Sequence, residues 1–294
     1  METVVRMPAP DSPEWVHSLD PGGVFDQWHD ACREWCSDMG IAADDSDFAR
    51  RGFEKMTFMD PAAADDLRRR VDAGAETPDN VTDIGDYQDT VKEGNPDFLF
   101  GLLETLLTLD LERRVMGYFQ SHFFVHWYQF TRAYPHPKAD SSFLWHRDGG
   151  PGAFVNIMVY LNPAGEHGGG TQLLDRETTA KLAQAGYDYP DVVDRVGDLS
   201  EYAEAAGVSC EPWESAMNLG EGLIFQPDRV LHRGLLPTRG TRYVLFLNLL
   251  PSCRPWREGF RRWPLNFMEI VAGNWTVDYI PLLAADDGPR IVQS

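Results

Sequence analysis

The sequence predicts a mainly β protein with flanking helices, built on an antiparallel β-sandwich or jelly roll. Three observations point there. Strand-length apolar runs recur from residue 125 to residue 250. Turn signals separate them: Gly149-Gly150-Pro151-Gly152, Asn162-Pro163, Gly168-Gly169-Gly170, Pro227 and Pro251. Residues 97–120 carry Phe98, Leu102, Leu106, Leu109 and Val115 as an apolar stripe, the pattern of a helix that braces a sheet.

In chain order, residues 1–12 are Pro-rich and polar and read as a loose terminus. Residues 13–39 read as one or two helices, with Trp15, Phe25, Trp28, Ala31, Cys32 and Trp35 partly at helical spacing. Asp44 to Asp47 is an acidic break, and residues 52–58 alternate as a first strand would. Asp60 then caps a helix with Pro61 in its first turn, running to about Val71. Residues 74–95, polar and rich in Gly, Pro, Asn and Asp, read as a long loop. Residues 125–134 form an aromatic strand on which Tyr128, Phe130, Arg132 and Tyr134 share a face. Phe143-Leu144-Trp145 reads as a strand end leading into His146 and Asp148, and residues 153–161, 171–174, 222–225, 230–232 and 242–250 as further strands.

Residues 175–216 interrupt this core. They are acidic and partly helical, and read as a lid over a substrate site, with surface decoration or an oligomer contact as alternatives. Beyond Pro251, Arg254 to Trp263 is basic and aromatic. It reads as an anion handle, or as a surface docked on the acidic insertion or facing solvent. The whole chain, 1–294, is expected to be a single domain: an extension at 1–51, a core at 52–252 holding the 175–216 insertion, and a C-terminal extension at 253–294.

Composition narrows the function. Hydrophobic residues make up 43% of the chain and aromatics 12%, ample for a packed core. A net charge of −20 argues against nucleic-acid binding and against adhesion to anionic membranes. No apolar run reaches the roughly 18 residues a membrane-spanning helix needs. The first residues lack the pattern of a signal peptide, so a cytoplasmic location is expected, with Cys32, Cys36, Cys210 and Cys253 as free thiols. A small-molecule substrate is expected, and a homodimer is compatible with the chain.

The chemistry centres on His146, Asp148 and His232. Two imidazoles and one carboxylate can occupy one face of a metal ion and leave the opposite positions open. His-x-Asp alone is weak, because with 8 His and 46 acidic residues in 294 about one such pair arises by chance. Context carries the weight. In extended backbone, residues two apart face the same side, and a Gly-rich turn and a long strand follow. Arg242 opens the apolar run ten residues beyond His232, where a fixed cation could hold the far end of a dicarboxylate. Asn156 lies on the strand after the first two ligands, its amide able to reach a co-substrate or a neighbouring strand.

The order Trp-His-Arg-Asp-Gly, Val-Tyr-Leu-Asn, Gly-Gly-Thr, Leu-Ile-Phe, Leu-His-Arg-Gly, Gly-Thr-Arg-Tyr-Val-Leu resembles the core of the iron(II)/2-oxoglutarate-dependent oxygenases, in particular the prolyl-hydroxylase-like and phytanoyl-CoA-hydroxylase-like branches. The resemblance covers about residues 120–252. It implies a double-stranded β-helix (cupin-like) core. It also implies Fe(II) on His146, Asp148 and His232, with Arg242 on the distal carboxylate of 2-oxoglutarate and a tyrosine from the preceding strand, Tyr128 or Tyr134, as a further co-substrate contact. The implied reaction consumes O2, releases succinate and CO2, and hydroxylates an unactivated C–H bond of a metabolite. Asp148 stands where related halogenases carry Gly or Ala. Two alternatives remain at this stage: a cupin-type metalloenzyme that does not use 2-oxoglutarate, and a non-catalytic binding protein on the same fold.

Overall fold

The computed structural model describes residues 4–5, 24–148, 154–214, 216–262 and 290–291. The Gly149–Gly152 turn, most of the N-terminal segment before Val24 and most of the C-terminal extension lie outside these residues. Ten strands matter for the site: β1 (Phe53–Thr57), β2 (Val81–Asp83), β3 (Gln88–Val91), β4 (His122–Ala133), β5 (Val155–Tyr160), β6 (Thr171–Leu173), β7 (Trp213–Glu214), β8 (Glu221–Phe225), β9 (His232–Gly234) and β10 (Arg242–Ser252). They form two antiparallel sheets, a major one in the order β1-β8-β5-β10-β4-β3-β2 and a minor one in the order β9-β6-β7. A two-residue parallel pairing joins Val4–Val5 to Arg290–Ile291.

One face of the major sheet is dressed with helices. Val125, Tyr128 and Phe130 of β4, Ile157 and Val159 of β5, and Leu245 and Leu247 of β10 pack there. They meet Leu67 and Val71 of α3 (Pro61–Ala75), Leu99 and Leu103 of α4 (Pro96–Leu106), and Leu111 and Val115 of α5 (Leu109–Phe119). Two further helices precede these in the chain, α1 (Val24–Trp35) and α2 (Asp47–Arg51). The opposite face turns toward the minor sheet. Met158, Tyr160, Phe225 and Val244 form a second core with Leu173 and Val230. Among the described residues no helix is long and apolar enough to cross a membrane.

Local chemistry explains most boundaries. The Asp60 carboxylate accepts from the Ala63 amide at 2.9 Å and starts α3 as its sequence predicts, though the helix runs on to Ala75. The single helix expected over 97–120 is two. Leu107 leaves helical geometry, and the Thr108 hydroxyl caps a new helix by accepting from Leu111 N. The expected loop at 74–95 contains the β2–β3 hairpin. Its strand character is hidden because β3 buries polar groups: Asp89 accepts two hydrogen bonds from Arg132 and one from the Tyr134 hydroxyl. The segment before His146 is a 3-10 turn, Ser141–Phe143, rather than a strand.

The 175–216 insertion folds into α7 (Arg176–Gln184) and α8 (Ser200–Ala206), followed by β7; α6 (Ala164–His167) precedes it. Leu182, Tyr187 and Leu199 of the insertion pack on Trp145, Leu174 and Leu231. The segment expected as a lid is seated on the minor-sheet side in this structure. The basic patch after Pro251 forms α9 (Trp256–Arg262) and docks on the helical layer instead of the acidic insertion: Arg257 pairs with Glu104 at 3.3 Å and Glu112 at 2.6 Å.

Candidate active site

His146 and His232 are held by the backbone itself. His146 N–H donates to His232 O at 3.0 Å and His232 N–H to His146 O at 2.9 Å. Directly opposed residues of an antiparallel pair project to the same side, so this one bridge sets the two imidazoles next to each other, with ring centroids 4.3 Å apart. Asp148 follows two residues after His146, on the same side, with its amide tied to Pro227 O at 2.9 Å. One ligand atom from each of the three lies within 4.8 Å of the others.

The tautomers suit a cation. Nδ1 of His146 faces Leu144 O at 2.7 Å and Nδ1 of His232 faces Val230 O at 3.0 Å. A carbonyl only accepts, so each Nδ1 carries the proton and each Nε2 presents a lone pair. Both Nε2 atoms point to Asp148 Oδ1, at 3.3 Å and 3.7 Å. Burial opposes ionisation of Asp148, but positive charge on the two histidines outweighs it and holds the carboxyl well below the usual carboxylate range, and a divalent cation bound at the same place would act in the same direction. Burial, then the neighbouring His232, pushes His146 down. Neutral imidazoles and an ionised carboxylate are the forms that bind metal. The N, N, O donor set with one shared open side fits iron(II).

A buried polar ladder fixes the carboxylate. His126 Nδ1 donates to Asn248 Oδ1 at 3.1 Å, Asn248 Nδ2 to Asn156 Oδ1 at 2.8 Å, and Asn156 Nδ2 to Asp148 Oδ2 at 3.3 Å. Every donor points toward Asp148, which leaves Oδ1 turned to the histidines. The ladder crosses three neighbouring strands, β4, β10 and β5. It depends on a β-bulge. The β4–β10 register slips between Asn248 and Leu249, whose partners are Trp127 and Val125, so His126 is the extra residue. The bulge turns His126 and Trp127 to the same face. Outer partners of this kind set metal affinity, so Asn248→Leu is expected to weaken Mn(II) binding by roughly 10- to 100-fold in calorimetry, with the fold retained.

His126 also makes stability depend on pH. Burial drives its pKa down to about 4 against an ordinary value of 6.5, while the bond to Asn248 works the other way. The unfolded chain therefore binds this proton more readily than the folded one, and stability falls as pH drops from 6.5 toward 4. His126→Gln is expected to remove about 2 kcal/mol of the stability lost between pH 7 and pH 5, read by urea unfolding at the two pH values.

The triad opens on a cavity of 460 Å³, within the range of small-molecule sites. Arg242, Asn156 and all three residues of the triad line it. Arg242 is 4% exposed, and its Nη1 donates to Gly170 O at 2.9 Å and Leu235 O at 3.2 Å. Its Nε is buried with no hydrogen-bond partner. Seven buried side-chain polar atoms lack a partner among the described residues. Four of them belong to residues of this cavity: Trp127 Nε1, Thr131 Oγ1, Arg195 Nε and Arg242 Nε. Buried groups left unsatisfied in this way mark a place shaped for a polar ligand.

Tyr128 and Tyr134, expected to contact a co-substrate, do not reach the cavity. Tyr128 packs in the helix-side core with its hydroxyl on Glu93 O, and Tyr134 bonds Asp89. The cavity face of β4 carries Trp127, Gln129 and Thr131 instead. Sequence reading missed these three and Arg195. The alternation of polar Gln129 and Thr131 against apolar Tyr128 and Phe130 was the available signal.

No family model matches this chain, and no curated protein matches it. Solved structures do. The epimerase SnoN in complex with Fe3+, alpha ketoglutarate and nogalamycin RO is 11% identical, with a TM-score of 0.50 over 70% of this chain and 81% of that one. EctD from S. alaskensis in its apoform is 15% identical, with a TM-score of 0.48 over 72% and 81%. The alpha ketoglutarate-dependent carbocyclase SnoK is 11% identical, with a TM-score of 0.48 over 75% and 89%. At these identities the likeness to SnoN is one of fold.

Proposed function

We propose that this chain is an iron(II)- and 2-oxoglutarate-dependent oxygenase on a double-stranded β-helix (jelly-roll, cupin-like) core, acting on a small molecule, with hydroxylation of an unactivated C–H bond as its reaction. One observation carries the reading: a two-histidine, one-carboxylate cluster with its donor atoms converged shares a cavity with a buried arginine whose Nε has no hydrogen-bond partner. The fold shared with SnoN, whose structure holds Fe3+ and alpha ketoglutarate, supports it.

The residues divide the work. His146, Asp148 and His232 would hold the metal. The Arg242 guanidinium would pair with the distal carboxylate of 2-oxoglutarate, a charge-assisted contact made strong by burial. Iron(II) in this site, with 2-oxoglutarate and O2, supplies an oxidant able to attack an unactivated C–H bond while 2-oxoglutarate leaves as succinate and CO2. The aromatic walls, Trp127, Phe154, Phe225 and Phe246, keep bulk water from the reacting atoms. The ladder ending at Asn156 keeps Asp148 in one rotamer as substrates come and go.

The test is succinate release. Protein, Fe(II), 2-oxoglutarate, ascorbate and air are expected to yield succinate in excess over enzyme even without the natural substrate, through slow uncoupled turnover in which ascorbate supplies the two electrons that the missing substrate would have given. Succinate that forms equally without protein, or with His232→Ala, contradicts the proposal.

A further inference from the structure

Arg195 lies in the insertion, just after the 3-10 turn Val192–Asp194, yet it lines the cavity together with the triad. Its backbone neighbours are pinned. Val196 O accepts from Trp145 N at 2.9 Å and Val196 N donates to the Tyr187 hydroxyl at 3.0 Å. That hydroxyl in turn donates to Trp145 O at 2.7 Å, and Gly197 O accepts from Arg233 Nη1 at 2.6 Å. Trp145 precedes the ligand His146, so the insertion is stitched to the ligand-bearing segment on either side of Arg195.

The other arginines at this junction are satisfied. Arg147 bonds Asp188, Tyr189 and Asp228 O, and Arg233 bonds Gln172 at 2.9 Å. Arg195 makes no ion pair among the described residues, and its Nε is buried without a partner. Burial disfavours its charge and prevails, with Asp148, Tyr187 and Asp191 acting the other way. A half-buried guanidinium whose Nε is cut off from water without a partner is costly, more so in a chain of net charge −20 with carboxylates to spare on the same insertion. Such an arrangement suits a counter-charge delivered by a ligand. Arg242 already serves the co-substrate, so Arg195 is left for the molecule that is oxidised.

We infer that Arg195 anchors the substrate and that the substrate is an organic anion, a carboxylate or phosphate head on an apolar body. The inference rests on the oxygenase reading of the site. The body would lie against Ile84, Trp127, Phe154 and Phe246, which line the same cavity. Because the two residues that follow it, Val196 and Gly197, are tied to the ligand-bearing segment and to Arg233, the backbone at Arg195 is set beside the cavity before the substrate arrives, which lowers the entropic cost of binding. A fixed head would hold the same carbon of the body toward the open side of the triad in every turnover.

The experiment uses pairs of an anion and its neutral counterpart: 3-phenylpropanoate and its amide, octanoate and octanamide, phenyl phosphate and its neutral dimethyl ester. Each is titrated calorimetrically into the full chain loaded with Mn(II) and 2-oxoglutarate, and again into the metal-free chain. At least one anion is expected to bind about tenfold or more tightly than its neutral partner, with Arg195→Gln erasing the preference and Arg195→Lys keeping part of it. The phosphate and carboxylate arms identify the head group. Affinity for 2-oxoglutarate should stay within about twofold of wild type in both variants. The inference is overturned if no anion outbinds its partner, if the preference survives in Arg195→Gln, or if Arg195→Gln weakens 2-oxoglutarate instead, which would assign Arg195 to the co-substrate. Failure of 2-oxoglutarate to bind the metal-loaded wild type would end the oxygenase reading, and the anion comparison on metal-free protein would still decide Arg195.

Discussion

Asp148→Ala and His232→Ala are each expected to abolish metal-dependent turnover while leaving the chain folded. The reason lies in how the ligands are built. His146 and His232 are placed by mutual backbone hydrogen bonds that neither side-chain change disturbs. Removing one ligand therefore leaves the scaffold but breaks the three-donor face that a divalent ion needs. For Asp148 the loss is larger than one donor, because its charge is the only negative one within the cluster. Calorimetry with Mn(II) is expected to show one site per chain in the wild type and none in either variant. Thermal unfolding of the metal-free proteins should differ by only a few degrees, and wild type alone should gain stability on adding metal. Variants that still bind one Mn(II) with wild-type affinity would place the metal elsewhere.

Arg242→Ala is expected to weaken 2-oxoglutarate by roughly 30- to 100-fold, the loss of charge-assisted hydrogen bonds in a buried setting. Metal binding should be unaffected, since Arg242 touches backbone carbonyls and no ligand. Arg242→Lys should recover part of the affinity, because an ammonium supplies the charge without the flat pair of donors. The signature is a raised KM for 2-oxoglutarate at constant Mn(II) affinity. A cupin-type enzyme that does not use 2-oxoglutarate would turn over its substrate in Arg242→Ala as in wild type, so this variant separates the two readings.

The parts of this account that were legible in the sequence are those fixed by local rules. Asp60 and Pro61 announce α3, and the apolar run from Arg242 announces β10. The spacing of His146 and Asp148 places both side chains on one side of extended backbone. What escaped depends on partners far along the chain. The β2–β3 hairpin looks like a polar loop because its buried Asp89 is satisfied by Arg132, 43 residues away. Tyr128 and Tyr134 looked like cavity residues because their hydroxyls suit a carboxylate, although the polar Gln129 and Thr131 alternating with them mark the cavity face. The bulge at His126 breaks the alternation between Val125 and Trp127, and only the pairing with β10 reveals that His126 joins the cavity-side ladder. Arg195 was invisible for the same reason: an arginine in an acidic insertion reads as surface until the Val196–Trp145 hydrogen bond brings it to the site.

The most direct measurement is an anaerobic titration of the purified chain with Fe(II) and then 2-oxoglutarate, followed by visible absorption. The account predicts one Fe(II) per chain, and a weak charge-transfer band of the chelated keto acid that grows to saturation with one equivalent of 2-oxoglutarate. The band should be missing in Asp148→Ala and should need far more 2-oxoglutarate in Arg242→Ala. A wild-type protein that takes up Fe(II) with no such band, or a band of equal strength in Asp148→Ala, would contradict it.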